Sequence, residues 1–288
     1  METVEINGKQ VSLPCLLENL PIEYYHSSEC IGVSRSDLDL ISRSPLHYLH
    51  AATTKKDPTP AMEFGSLVHS IILEPNTFDS MYIVAPELDK RTKVGKEIMQ
   101  DLLDSAGSRR IITSADFDTA SRMRDAVMGS KVARSLIEGA VIESSAFAVD
   151  AETKIIKKCR PDAARLSDRI LVDLKTTTDA SFNEFRRSIV NFNYDKQSAY
   201  HLDTYSEATG VQFDSFIFIC VEKVAPFGVA IYMINDACLE AGRALYRRDL
   251  QKYSDAFMNG ARNMLNAGYP DMVQQIDMAA YGFDLQSR

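Results

Sequence analysis

Apolar and polar positions change period several times along this chain, and each change marks an element. Between residues 154 and 175, KIIKKCRPDAARLSDRILVDLK, two arms rich in β-branched residues flank Ser167-Asp168, the pattern of a β-hairpin with a two-residue turn. Antiparallel pairing about that turn sets Leu166 against Arg169, Ala164 against Leu171, Asp162 against Asp173 and Arg160 against Lys175. Side chains alternate, so Ile170, Val172 and Leu174 face one way, and Asp162, Asp173 and Lys175 face the other. Pro161 lies inside the first arm and implies an edge or a bulge that can shift the pairing by one.

Upstream, residues 1 to 30 read as short strands and loops. A helix starts at Ser34 or Ser36, with Leu38 and Ile41 as its apolar positions, and Ser44-Pro45 interrupts it. Ala61 to Leu73 reads as a buried helix ending near Glu74-Pro75. The basic run from Asp89 to Lys96 leads into another helix, and Ser114 to Leu136 reads as a second, amphipathic one with Arg122, Arg124, Lys131 and Arg134 on its polar side. Together they suggest a helical insertion, about 85 to 136, covering a cleft. Val141 to Val149 alternates as a strand.

Beyond the hairpin, Thr176 to Thr178 forms a loop. Ser181 and Glu184 stand at capping-box spacing, with Phe182, Phe185 and Ile189 facing inward. Tyr194 to Ala208 is a helix that places Gln197, Tyr200 and His201 on one face. Asp214 to Glu222 and Phe227 to Ile234 alternate as strands, and Asn235 or Asp236 caps a terminal helix reaching about Leu265. No repeat or linker divides the chain, so a single domain over 1–288 is expected. Its class is α/β: a central mixed β-sheet from the strands near 141, 155, 170, 214 and 227, flanked by helices.

Composition adds exclusions. At 45% hydrophobic and 25% charged residues the chain matches soluble globular proteins. The start METVEINGK lacks a signal pattern and no apolar run is long enough to span a bilayer, which points to a cytoplasmic protein without membrane contact. Cys15, Cys30, Cys159, Cys220 and Cys238 are scattered without a C-x-x-C pair, against a zinc, disulfide or iron–sulfur framework. A net charge of -8 is awkward for binding DNA unless positive charge is concentrated in one channel.

The chemistry centres on the two aspartates. Carboxylates directly across a strand pair lie about 5 Å apart and repel each other, and a hard cation such as Mg²⁺, or alternatively Mn²⁺, would offset that. Lys175, two residues past Asp173, would stand beside metal-bound water, an arrangement suited to hydrolysing a phosphodiester. The bland reading is a Pro-Asp turn followed by an ordinary edge strand. His69 is either a satisfied helix histidine or a metal-site residue. Glu143 is either a third carboxylate at the same site or an exposed strand glutamate.

Pro161-Asp162 followed by Asp173-Leu174-Lys175 resembles the signature of the PD-(D/E)XK nuclease superfamily. The blocks SRSDLDLISRSPLHYL (34–49), MEFGSLVHSIILEP (62–75), DKRTKVGKE (89–97) and YDKQSAYHLD (194–203) resemble its RecE-type, exonuclease VIII-like phage recombination exonucleases. The resemblance implies a restriction-endonuclease-like core and a metal-dependent exodeoxyribonuclease acting on linear double-stranded DNA ends, 5′ to 3′. It further implies a ring-like homo-oligomer, trimer or tetramer, and a RecT-like single-strand annealing protein as partner, in a phage or its bacterial host. Asp162, Asp173 and His69 would hold the metal and Lys175 would serve the water. Gln197, Tyr200 and Arg91 would contact the substrate, with Ser34 and Ser36 near its entrance or simply starting a helix. His201 departs from the pattern, where a second aromatic is expected. A structure-specific or restriction-like endonuclease is the alternative, and a non-catalytic DNA-end-binding protein a further one.

Overall fold

The computed structural model describes residues 2–54, 57–88, 91–258, 268–269 and 271–275. The chain opens with a hairpin of β1 (Thr3–Ile6) and β2 (Lys9–Ser12), then β3 (Cys15–Leu17) and the short α1 (Ile22–Tyr25). Helices α2 (Arg35–Arg43), α3 (Pro45–Thr53) and α4 (Pro60–Leu73) follow. Each begins at a hydroxyl, Ser34, Ser44 or Thr59, that accepts a backbone N–H of the first turn, and α3 and α4 have proline where no N–H is needed. Next come α5 (Phe78–Met81), β4 (Tyr82–Ala85), α6 (Lys93–Ala106), β5 (Arg110–Thr113), α7 (Ser114–Gly129) and α8 (Lys131–Ile137). The remaining elements are β6 (Val141–Ile142), β7 (Ser145–Val149), β8 (Ile156–Cys159), β9 (Ala163–Arg165), β10 (Ile170–Thr177), α9 (Phe182–Asn191), α10 (Tyr194–Thr209), β11 (Ser215–Glu222), β12 (Val229–Met233) and α11 (Asp236–Phe257).

A mixed five-stranded sheet in the order β12-β11-β10-β9-β6 carries the fold. Within this sheet β10 and β11 pair in parallel and the other neighbours antiparallel, and α9 and α10 supply the crossover that a parallel pair requires. Helices cover both faces, so β11 is a nearly continuous apolar run and β10 is one apart from Asp173 and its polar end from Lys175 onward. Leu171, Phe216 and Phe218 pack with Phe185 of α9, Tyr200 and Tyr205 of α10, and Tyr246 of α11. On the opposite face Val172, Leu174 and Ile219 pack with Val68 of α4, Met123 of α7 and Leu136 of α8. A second sheet, β3-β7-β8, joins this body through α10 and shields a smaller cluster of Ile6, Leu13, Tyr25 and Phe147. Among the described residues no helix is long and apolar enough to cross a membrane.

The expected hairpin register is present: Arg165 faces Ile170, Ala164 faces Leu171 and Ala163 faces Val172. The turn, however, spans residues 166–169 rather than two, with Arg169 at φ +59°. The ladder also stops at Ala163, because the segment holding Pro161, which has no N–H to donate, crosses to the other sheet. The strand near 155 therefore belongs with β3 and β7, and Arg160 is not paired with Lys175.

Four other expectations need correction. The strand expected over 141 to 149 changes sheets at Glu143, whose φ is +48°. The helix expected over 114 to 136 breaks at Ser130, which caps α8. In the 85 to 136 region, β4 and β5 form a parallel pair and α7 packs in the core, so the region is not purely helical. Ser181 makes no side-chain cap, since Asp179 Oδ1 takes its N–H at 2.7 Å and Glu184 pairs with Arg187 instead. Asp89, Lys90 and the part of the expected terminal helix beyond residue 258 lie outside the described residues.

At Gly242, α11 crosses the start of α10 so closely that an added Cβ would lie 2.2 Å from the Asp195 carbonyl oxygen. Gly242→Ala should therefore destabilise the fold by at least about 1–3 kcal/mol, although alanine is the better helix former. Urea denaturation reads this directly; unchanged or greater stability would refute the close crossing.

Candidate metal and catalytic centre

Two side-chain groups meet where β10 leaves the β9 ladder. The first is His69, Glu143 and Asp162, each offering a ligand atom, all within 4.8 Å of one another. They come from three places: the middle of α4, the corner where the chain changes sheets, and the residue just before β9. His69 Nδ1 is 3.5 Å from Asp162 Oδ2, and the same oxygen accepts the Leu174 N–H at 2.6 Å. The Glu143 N–H donates to the Asp162 carbonyl at 3.0 Å, which holds the corner in its left-handed conformation.

The second group is Asp173, Lys175 and Gln197. The Lys175 ammonium lies 2.6 Å from Asp173 Oδ2, an ion pair rather than an aligned hydrogen bond. Gln197, buried on α10, donates through Nε2 to Asp173 Oδ1 at 2.6 Å and accepts from Lys175 Nζ at 3.2 Å. Its amide is thus used at both ends, donor to carboxylate and acceptor from ammonium. The Tyr194 ring lies beneath the ammonium, 4.4 Å from Nζ to the centroid. Burial disfavours a charged Lys175, yet the carboxylates of Asp173 and Asp162 and the nearby Tyr194 hold its pKa above the ordinary value.

Asp162 has the opposite problem. Burial is the largest cause in lifting its carboxyl from the ordinary 3.8 to about 7, and the Asp173 carboxylate adds to the lift. His69, Lys175 and the Leu174 N–H pull it down without cancelling that. Glu74, at the end of α4, is also lifted, by burial and then by Glu143. Asp162 and Glu74 resist ionisation chiefly because burial withholds water from them, and a divalent cation among His69, Glu143 and Asp162 would supply compensating positive charge. One imidazole and two carboxylates make a donor set suited to such an ion.

Of the ten site residues expected from sequence, His69, Glu143 and Asp162 converge in one group, and Asp173, Lys175 and Gln197 in the adjoining one. Asp173 is not in the preformed ligand group; its oxygens are engaged by Lys175 and Gln197. Gln197 serves the Asp173–Lys175 pair instead of projecting outward to a strand. Tyr200 is a correction: it is fully buried, and its hydroxyl donates to the Val33 carbonyl at 2.5 Å, so it packs the core instead of meeting substrate. Ser34 caps α2, donating to Asp37 Oδ2 at 2.6 Å, and the exposed Ser36 lies 2.8 Å from the Ser34 hydroxyl. Arg91 is exposed on the turn before α6.

Two contributors escaped the sequence reading. Arg160 holds Glu143 Oε2 at 2.9 Å while donating to the Leu20 carbonyl and the Ser145 hydroxyl. Tyr194 forms the floor under Lys175. Adjacency to the Pro-Asp pair was the one available signal for Arg160, and proximity to Gln197 on the same helix the one for Tyr194.

A mixed sheet between helical layers, with paired acids and a lysine at the end of its central strand, defines a PDDEXK-like nuclease fold. The chain belongs to the family described as "PDDEXK-like domain of unknown function (DUF3799)", whose model matches residues 34–275. No curated protein sequence matches it significantly. Among solved structures it is similar to a "putative exonuclease" from Eubacterium rectale, at 13% identity and TM-score 0.57, over 93% of this chain and 99% of that one. A phage related exonuclease from Haemophilus somnus 129PT aligns at 14% identity and TM-score 0.34, over 80% of this chain and 96% of that one.

The lifted Asp162 carboxyl has a measurable consequence. Its folded-state pKa exceeds its unfolded one, so between about pH 4 and pH 7 the folded chain keeps a proton that the unfolded chain has lost. The resulting stabilisation is complete below pH 4 and is lost as pH rises to 7. In metal-free buffer the wild type should lose stability relative to Asp162→Asn across that window. Thermal denaturation of both proteins at several pH values checks this, and a constant difference between them would contradict it.

Proposed function

We propose that this protein is a metal-dependent exodeoxyribonuclease that hydrolyses linear double-stranded DNA from its ends. The observation that carries the reading is the meeting of the His69–Glu143–Asp162 group with the Asp173–Lys175–Gln197 group. His69, Glu143 and Asp162 would hold Mg²⁺ or Mn²⁺, with Asp173 completing the site once a cation competes for its oxygens. The ion, when bound, lowers the pKa of a water and neutralises charge on the phosphate.

This chain's own residues do the rest. Lys175, fixed by Gln197 and floored by Tyr194, presents an ammonium that orients the attacking water and offsets negative charge growing on the phosphoryl oxygens. Gln197 keeps the lysine and Asp173 in one geometry, so little reorganisation is needed at the moment of reaction. Arg160 orients Glu143 through its guanidinium, which is itself tied to Leu20 and Ser145.

The resemblance to RecE-type proteins supports the finer reading: 5′-to-3′ digestion, a ring-like homo-oligomer, and a RecT-like annealing protein receiving the exposed strand in the cytoplasm of a phage-infected bacterium. The likeness to the Eubacterium rectale protein, named an exonuclease, points the same way on end-directed cutting.

Asp173→Asn and Lys175→Met should each lower nucleotide release from end-labelled linear duplex by at least about 10²–10³-fold with Mg²⁺ present, while circular dichroism stays unchanged. Undiminished release by either variant would refute the mechanism. A closed circular plasmid should survive the wild type; nicking of it would make the protein an endonuclease instead.

A further inference from the structure

Phe182, expected from its spacing to face inward, instead stands exposed with Val190 and Phe192 on α9 and the turn after it, at 61%, 74% and 57% of their full accessibility. Phe192 connects this surface to the centre just described. Its ring centroid is 5.6 Å from that of Tyr194, tilted by 30°, and the Tyr194 ring is in turn 4.4 Å from the Lys175 ammonium. Those two contacts cover no more than about three duplex steps of ~3.4 Å each. A base resting on Phe192 would therefore belong to a nucleotide close to the phosphate under attack.

The ring is also held in place despite its exposure. The Phe192 carbonyl accepts from the Arg35 guanidinium, and its N–H donates to the Ser188 carbonyl at 3.0 Å. Asn193 follows in the left-handed conformation, φ +51°, with its amide reaching Asp39. A turn fixed on both sides presents a flat apolar face at little entropic cost, which is what a stacking surface requires.

Charge favours a nucleic acid over an apolar protein surface as the occupant. Arg186 and Arg187 are exposed on the same helix, and the Arg186 guanidinium lies 5.7 Å from the Phe182 ring centroid. Guanidinium and aromatic groups side by side complement phosphates and bases together. An apolar partner would instead bury the Arg186 charge without a counter-ion.

We propose that Phe192 is a stacking platform for an unpaired base of the strand being cut, so that the centre accepts a frayed, single-stranded end. This rests on the nuclease reading, and the test separates the two. Full-length protein carrying Asp173→Asn is mixed with a single-stranded oligonucleotide bearing 2-aminopurine one nucleotide from its end. Stacking should quench the fluorescence. Adding Phe192→Ala should abolish the quench and weaken binding about tenfold, and Phe192→Trp should retain both. With Asp173 intact, Phe192→Ala should raise KM for linear DNA about tenfold and change kcat little.

Equal quenching with and without Phe192 overturns the platform, whereas nucleotide release by the unaltered chain would leave the nuclease reading standing. Persistent quenching by Phe192 in a protein that releases no nucleotides with any divalent cation keeps the platform and removes the nuclease. If Phe192→Ala lowers the mass seen by light scattering while oligonucleotide binding is intact, the face is an interface with a second copy and the platform is overturned.

Discussion

Everything at this centre answers to one electrostatic constraint: the partly buried Asp162 carboxyl has to ionise within the field of a second, buried carboxylate, Asp173. Asp173 is carried by a strand covered on both faces, and Asp162 by the residue that leads into the neighbouring strand. Neutralisation has to come from groups at hand. The protein divides the task. Asp173 is matched inside the chain by Lys175 and Gln197, so it remains bound in a fixed geometry. Asp162 is matched only in part, by His69, the more distant Lys175 and one backbone N–H, and its pKa, raised first by burial, shows that they do not compensate. That imbalance makes the second position a place for an added cation, and the first a place for a pre-set ammonium.

The architecture serves this division. Parallel pairing of β10 with β11 demands a helical crossover, and that crossover is α9 and α10, which bring Gln197 and Tyr194 back over the end of β10. The other face of the sheet is closed by α4, whose apolar residues pack into the core while His69 reaches Asp162. The break after Cys159 moves the chain between sheets and leaves Arg160 free of any ladder, able to bind Glu143 at the other sheet-changing corner. Buried charge elsewhere follows the same logic. Lys196 lies between Asp39 and Asp249, and Lys157 reaches Glu207, so the layers around the centre are tied by paired charges as well as by apolar contact. Removing one partner from such a pair costs more than the pair contributes.

How much of this could be read in advance differs by residue. Local spacing was enough for the β9–β10 register, because turn position and side-chain alternation together leave one pairing that buries Val172 and Leu174. It narrowed the helix starts to Ser34 or Ser36 and to Asn235 or Asp236, and the structure uses Ser34 and Asn235, where a short polar side chain satisfies backbone groups of its own turn. It failed for Tyr200, which shares a helix face with Gln197 yet is buried beneath Val33, since helical period says which residues lie together but not what covers them. It failed equally for Ser181, whose capping spacing is intact but whose helix start is held by Asp179.

The amino-acid order by itself determined most of the elements and the register of β9 against β10, and it singled out the two aspartates, the lysine and the histidine as candidates, because these depend on periodicity and on residues near one another in the chain. Only the tertiary structure decided that Glu143 and His69 close on Asp162 while Asp173 turns to Lys175 and Gln197, and that Arg160 crosses to Glu143. Those contacts join segments dozens of residues apart, brought together by which sheet each strand enters and which face each helix covers. Those choices are settled by the burial of the whole chain at once, and no local window contains them.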